Sequence, residues 1–110
     1  MRLDRIFGFA LLLGLLVVSP VLAHKVNLFA YVEGGSIYTE SYFPDGRPVS
    51  AGQVEIRDAA DQILASGKTN DQGFYECPIP KVAELKIHII ASMGHRNHFT
   101  LSKAEIEAGQ

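Results

Sequence analysis

The strongest constraint on the fold is a two-residue alternation of apolar and polar side chains that begins after residue 23. In "GQVEIRD" the apolar residues are Val54 and Ile56, and in "ELKIHIIAS" they are Leu85, Ile87 and Ile89. Successive side chains of a β-strand point to opposite faces of a sheet, so this spacing predicts strands with one buried face. No long segment with a helical period follows residue 23, which excludes βαβ folds.

Turn residues separate the alternating stretches. The signals are Gly34-Gly35, "PDGRP" at 44–48 and "NDQG" at 70–73. The sequence therefore predicts an all-β protein, a single antiparallel β-sandwich of about seven short strands over residues 24–110. Ser102 and Glu105 have the spacing of a capping box, which predicts a short helical turn at the end.

The first 23 residues have the layout of a secretory signal peptide. Arg2 and Arg5 precede a run of about 13 uncharged residues, and small residues, Val21 and Ala23, lie before the expected cut. The run is shorter than the roughly 20 residues of a spanning helix. We expect a cleaved signal helix over 1–23 and a periplasmic or extracytoplasmic domain. The alternative is an uncleaved segment that holds the protein at the inner membrane.

The charge of the exported part is mildly acidic. Of 10 basic and 12 acidic residues, 8 and 11 remain once residues 1–23 are removed. This balance argues against nucleic acid as a partner, since such proteins carry a basic face. Cys77 is the only cysteine, so the domain has no internal disulfide, and we interpret Cys77 as a small buried apolar residue.

A cut after Ala23 makes His24 the first residue of the mature chain. Its α-amine and ring Nδ1 can chelate one ion, and such nitrogen donors suit Ni(II), Cu(II), Co(II) or Zn(II). The amine pKa lies near 8, so a metal displaces its proton at little cost at neutral pH. The alternative is that His24 has no metal-binding role and is first only because cleavage leaves some residue at the new N-terminus.

His95 and His98 form a second candidate group in "MGHRNHF", which its composition predicts to be a loop. In a loop this spacing lets both rings reach one ion, and Gly94 permits a sharp bend. The alternative is two solvated histidines. With His24 they would form an all-nitrogen set of three rings and one amine, which suits Ni(II) or Cu(II). The alternation places His88 on the outer face of a strand, outside this set.

Several pieces of the sequence resemble a known family. "HKVN", "FAYVEG", "SYFPDGRPV" and "MGHR" resemble small exported proteins found with bacterial nickel/cobalt importers of the energy-coupling-factor type. "PDGRPVSAGQVEI" and "GKTNDQGFY" also resemble the carboxypeptidase regulatory-like domain, a transthyretin-like β-sandwich. The second resemblance bears on fold more than on function.

The family resemblance implies an extracytoplasmic accessory subunit that captures Ni(II) or Co(II) as cargo. Its expected partner is the membrane-embedded substrate-binding component of an importer. His24 and His95 match the family's recurrent histidines, whereas His88 and His98 do not map onto a family motif. The choice between nickel and cobalt stays open, because ligand type favours neither.

Two other functions compete with metal delivery. A non-catalytic scaffold or adhesion module that binds protein or glycan predicts an exposed aromatic patch, formed by Phe29, Tyr31, Tyr38 and Tyr42. An enzyme is not expected. A transthyretin-like hydrolase needs a dimer site lined by histidine and arginine, and the chain lacks a convincing set of these residues. A copper oxygenase with an N-terminal histidine brace needs a larger substrate-binding platform than about 87 residues give.

Overall fold

A computed structural model describes residues 25–110. The predicted signal peptide at 1–23 and the candidate ligand His24 lie outside the described residues. The elements in chain order are β1 (Asn27–Glu33), β2 (Ser36–Tyr42), β3 (Gln53–Arg57), β4 (Ile63–Lys68), β5 (Phe74–Pro78), β6 (Leu85–Ile90), a 3-10 turn (Ser92–Gly94), β7 (Arg96–Leu101) and α1 (Lys103–Ala108). None of the helical segments within residues 25–110 is long and apolar enough to cross a membrane.

The seven strands form two antiparallel sheets. One sheet has three strands in the order β1-β2-β5, and the other has four in the order β4-β3-β6-β7. Every strand pair is antiparallel. The predicted all-β sandwich of about seven short strands is therefore confirmed.

The core lies between the sheets and follows the alternation of the sequence. Val54 and Ile56 of β3 are fully buried, as are Leu85, Ile87 and Ile89 of β6. The residues between them in the sequence are exposed or half-buried. The four-stranded sheet thus has an apolar inner face and an outer face of polar and charged residues, which carries the candidate site.

The β1–β2 hairpin turns through two glycines. Glu33 pairs with Ser36, so the loop is Gly34-Gly35, and the φ angles of these residues are 58° and 83°. A two-residue hairpin loop with positive φ at both positions matches the twist of the strands, and glycine adopts it without steric cost. The turn signal in the sequence is confirmed.

The C-terminal helix closes one end of the sandwich. Ser102 caps α1, and the backbone N–H of Glu105 donates to its hydroxyl while the Glu105 carboxylate accepts from the Ser102 N–H. Ile106 is fully buried in the core. The Gly109 carbonyl accepts a hydrogen bond of 2.8 Å from Gly35 N–H, which ties the helix to the β1–β2 turn.

The predicted loop at "MGHRNH" is shorter than expected. A 3-10 turn covers Ser92–Gly94, but β7 begins at Arg96, so His98 lies in the middle of a strand. The polar composition suggested a loop, yet Arg96 and His98 take the outward positions of β7 while Phe99 packs against the core. Backbone pairing with β6 therefore outweighs the local composition.

Met93 and Cys77 lie in different environments. Met93, in the 3-10 turn, is 88% exposed and has a positive φ of 61°. Cys77 is half-buried and packs against the core, and burial raises the pKa of its thiol. The thiol form of Cys77 is thus favoured, which agrees with a structural role.

Candidate functional site

Two histidines face each other on the outer face of the four-stranded sheet. His88 of β6 pairs in register with His98 of β7. The two ring centroids are 5.6 Å apart, and the ring planes are tilted by 31°. Directly opposed residues of antiparallel strands have Cβ atoms about 5 Å apart, so the strand register by itself brings the two imidazoles into contact range.

The half-buried His88 ring is the more enclosed of the two. Its Nε2 is buried and has no hydrogen-bond partner among the described residues. Burial lowers the pKa of His88, and the positive charges of Arg57 and His98 lower it further. The ring is therefore neutral at neutral pH, which is the form in which imidazole binds a metal.

A groove of about 350 Å³ runs beside the pair. The residues that line it include His88, His98, Arg57, Arg96 and Lys25. Arg57 is held by two carboxylates, since its guanidinium donates to Glu55 and, at 3.0 Å, to Asp61. The positive charge of Arg57 is thus compensated within the sheet.

The start of the described chain is fixed against this groove. The Asn97 side-chain amide donates to the Val26 carbonyl at 2.8 Å, and Val26 is fully buried. Lys25, which precedes Val26, lines the groove.

His95 belongs to a different groove. Its Nδ1 donates to the Ser92 carbonyl at 2.7 Å, and its ring contacts Phe43 edge-on at 5.5 Å between centroids. Phe43, Arg47, Met93 and His95 are among the residues that line this second groove, of about 360 Å³. The position of the His95 ring is therefore set by the 3-10 turn at Ser92–Gly94 and by the Phe43 side chain.

The structure does not bring His95 and His98 together. His95 has extended φ and ψ angles of −67° and 130°, and β7 follows at once. Residues three apart in an extended chain project to opposite sides. The predicted loop is therefore wrong for residues 96–101, which form a strand, while a metal-binding role of His95 and His98 stays a prediction.

Within residues 25–110, no group of three or more histidine, cysteine, aspartate or glutamate side chains is arranged to hold a metal ion. His24 lies outside the described residues, so a site that includes it stays a prediction. The pair that does form includes His88, which sequence reasoning left out. The alternation correctly placed His88 outward, but its partner depends on the β6–β7 register, which the sequence does not state.

A second surface lies on the outer face of the three-stranded sheet. Tyr31 and Tyr38 pair across β1 and β2 with their rings stacked at 5.2 Å, and Phe29 lies 5.9 Å from Tyr31. Phe29 is 53% exposed and Tyr31 38%. Tyr42 is half-buried, and its hydroxyl contacts Glu40 at 3.3 Å. The aromatic residues singled out in the sequence therefore do share one face.

Comparison with known proteins yields one distant relative. A protein of Haemophilus influenzae (strain Rd), described as uncharacterized, is 30% identical over 77 residues, which cover 67% of this chain and 48% of that protein. The chain thus spans about half the length of that relative. No protein-family model matches the chain, and no solved structure matches it.

Proposed function

We propose that this protein is an extracytoplasmic accessory subunit that binds Ni(II) or Co(II) and passes the ion to the substrate-binding component of a membrane importer. The observation that supports the proposal is the pairing of two imidazoles beside one groove. His88 and His98 pair on the sheet, and Lys25, which directly follows His24, lines the same groove. The resemblance of "AHKVN" and "MGHR" to importer-associated proteins supports the same function.

The donor set suits a carrier. Imidazole and amine nitrogens bind late divalent transition metals, whereas Mg²⁺ and Ca²⁺ prefer oxygen ligands. A carrier must also release its ion. A site on an open sheet face lets ligands of a partner replace the protein's ligands one at a time, without unfolding of the domain.

Isothermal titration of Ni(II) and Co(II) tests the role of the N-terminus. The full chain is exported in a bacterial host, and intact mass identifies protein that begins at His24. The control is the same chain with one alanine inserted before His24, purified as the form whose mass includes that alanine. We expect submillimolar binding to the first protein and much weaker binding to the second, because the insertion separates the amine from the ring of His24.

Two results would contradict this expectation. Equal binding by both proteins would remove the amine of His24 from the site and leave only side-chain ligands. No binding by either would refute a carrier that works on its own.

The aromatic face supports a second candidate, a scaffold or adhesion module that binds protein or glycan. Its favouring observation is the stacked Tyr31–Tyr38 pair beside the exposed Phe29. Aromatic rings supply large contact area at small entropic cost, which suits recognition surfaces. This candidate predicts no metal binding, so the titration above separates the two functions.

A further inference from the structure

The outer face of the three-stranded sheet combines aromatic rings with negative charge. We propose that this face docks a basic segment of a partner protein, with one arginine or lysine side chain of that segment held between β2 and β5. The inference goes beyond metal carriage, because it uses none of the histidines. For the second candidate function it rests on that function and deepens it, since it selects a basic protein segment over a glycan.

The strand register places rings and carboxylates alternately across β2 and β5. Tyr38 of β2 pairs with Glu76 of β5, and two residues along each strand Glu40 pairs with Phe74. Paired residues of antiparallel strands share a face, and their Cβ atoms are about 5 Å apart. The four side chains therefore form a square with two rings and two carboxylates at alternate corners. A groove of about 120 Å³ lies among them, and all four side chains belong to its lining.

The carboxylates of this face have no basic partner among the described residues. The outward positions of β1, β2 and β5 hold Glu33, Glu40 and Glu76 but no lysine, arginine or histidine. None of these glutamates forms an ion pair with another residue in the described part of the chain. On the other sheet, by contrast, Glu55 is engaged by Arg57. The face therefore keeps a negative charge that a basic partner complements.

The aromatic rings favour an organic cation over a metal ion. A guanidinium or ammonium group is attracted to the face of an aromatic ring, and arginine also stacks on it. Tyr31 covers the Tyr38 ring from the β1 side at 5.2 Å between centroids, which leaves the side towards Glu76 for a cation. Within residues 25–110 no group of three or more histidine, cysteine, aspartate or glutamate side chains is arranged to hold a metal ion. A cation at this square thus meets a ring and a carboxylate together.

The size of the groove favours one side chain of a longer segment. Pockets for drug-sized ligands have volumes of about 300–1,000 Å³, well above the volume of this groove. The exposed rings of Phe29 and Tyr31 extend the aromatic surface across β1, so a segment anchored at the square can cover them too. A neutral glycan also stacks on aromatic rings, but it leaves the charge of the glutamates uncompensated.

Two peptides that differ only in charge test the proposal on the exported chain. In one peptide arginine alternates with glycine. In the other, citrulline, which has the shape of arginine without its positive charge, takes the arginine positions. Backbone amide spectra of the protein follow the titration of each peptide. We expect saturable shifts centred on β2 and β5 with the arginine peptide, weaker at high salt, and no such shifts with the citrulline peptide.

Charge and ring variants separate a specific site from general attraction to an acidic protein. We expect Glu76→Gln and Phe74→Leu each to weaken binding of the arginine peptide by roughly two- to fivefold. Glu84→Gln is the matched control, because Glu84 is exposed and precedes β6, outside this face. It removes the same charge and should leave the affinity equal to that of the parent protein. A thermal melt of each variant checks its folding.

Four results would overturn the inference. The first is the absence of saturable shifts with the arginine peptide, and the second is equal weakening by Glu76→Gln and Glu84→Gln, which would reduce the effect to net charge. The third is a set of shifts on β2 and β5 with the neutral oligosaccharide cellohexaose alone, which would assign the face to a glycan and leave the second candidate function standing. The fourth is a set of shifts that depend on protein concentration without peptide, which would assign the face to a second copy of the chain. Failure of metal carriage is distinguishable from all four, because Ni(II) and Co(II) are titrated separately.

Discussion

Asp58 closes the β3–β4 turn with a carboxylate that is almost fully buried. Its Oδ1 accepts 2.9 Å hydrogen bonds from the backbone N–H groups of Ala60 and Gln62, and its Oδ2 lies 3.4 Å from the Lys81 ammonium. The bond from Gln62 is the largest cause of a lowered Asp58 pKa, and burial opposes it. The folded state therefore favours the ionised carboxylate.

The lowered pKa predicts a pH-dependent contribution to stability. In the unfolded chain the Asp58 carboxyl has its ordinary pKa of about 3.9, which is higher than its pKa in the folded state. The ionised carboxylate therefore stabilises the fold at neutral pH, and this stabilisation is lost as the pH falls through the folded-state pKa. Replacement of the carboxylate by the amide in Asp58→Asn removes this titration and one acceptor. We expect the variant to have a lower free energy of unfolding than the parent at pH 7. This difference in the free energy of unfolding should become smaller below pH 4.

Urea unfolding of both proteins at several pH values between neutral and acid measures the difference between their free energies of unfolding. Other carboxylates titrate in both proteins, so only the difference between the two curves is informative. A difference that stays constant with pH would contradict the charged role of Asp58.

At the scale of elements, α1 is too short to be stable alone. It has 6 residues, and isolated helices shorter than about 12 residues are marginal in water. The reciprocal hydrogen bonds between Ser102 and Glu105 and the burial of Ile106 hold the helix on the sandwich. Gly109 lies so close to Val32 that any side chain there would collide with it. The end of the chain is thus part of the packed structure.

Loss of the cap should weaken this end of the molecule. We expect Ser102→Ala to reduce the free energy of unfolding by about 1 kcal/mol, because the Glu105 N–H loses its acceptor. Ser102→Asp keeps an acceptor at the same position and serves as the control. Amide hydrogen exchange over 103–108 provides the local measurement. Equal exchange in the alanine variant and the parent would show that the buried Ile106 alone holds the helix.

At the scale of the whole molecule, stability depends on packing between the two sheets. The chain has a single cysteine, and the described residues share one core of buried aliphatic side chains. A domain of this size is only marginally stable, so each large core residue contributes a sizeable fraction of the total. Ile87, on the interior strand β6, is one of these.

Truncation of the Ile87 side chain should strongly destabilise the domain. We expect Ile87→Ala to lower the free energy of unfolding by about 2–5 kcal/mol, because the variant loses apolar burial and leaves a cavity in the core. For a domain of this size each kcal/mol lowers Tm by about 4–8 °C. Ile90→Ala on the same strand, at a half-buried outward position, is the matched control. Thermal melts followed by circular dichroism compare the two, and similar losses would contradict the assignment of the inner face.

The strand pattern was predictable from local features. Alternation identified the inward residues of β3 and β6, and paired glycines identified the β1–β2 turn, because both signals act over a few residues. The β7 segment was harder. Arg96 and Asn97 have polar side chains typical of loops, and only their pairing with Ile90 and Ile89 of β6 makes them part of a strand.

The sequence by itself determined the sheet class, the inner faces of the strands, the C-terminal cap and the presence of imidazole donors, because each depends on residue type and on spacing along the chain. The tertiary structure alone decided which histidines meet. His88 and His98 are ten residues apart and lie opposite each other through the β6–β7 register, while His95, three residues from His98, projects to the other side. Contacts across a sheet depend on register and strand parity, and neither can be read from distance along the chain.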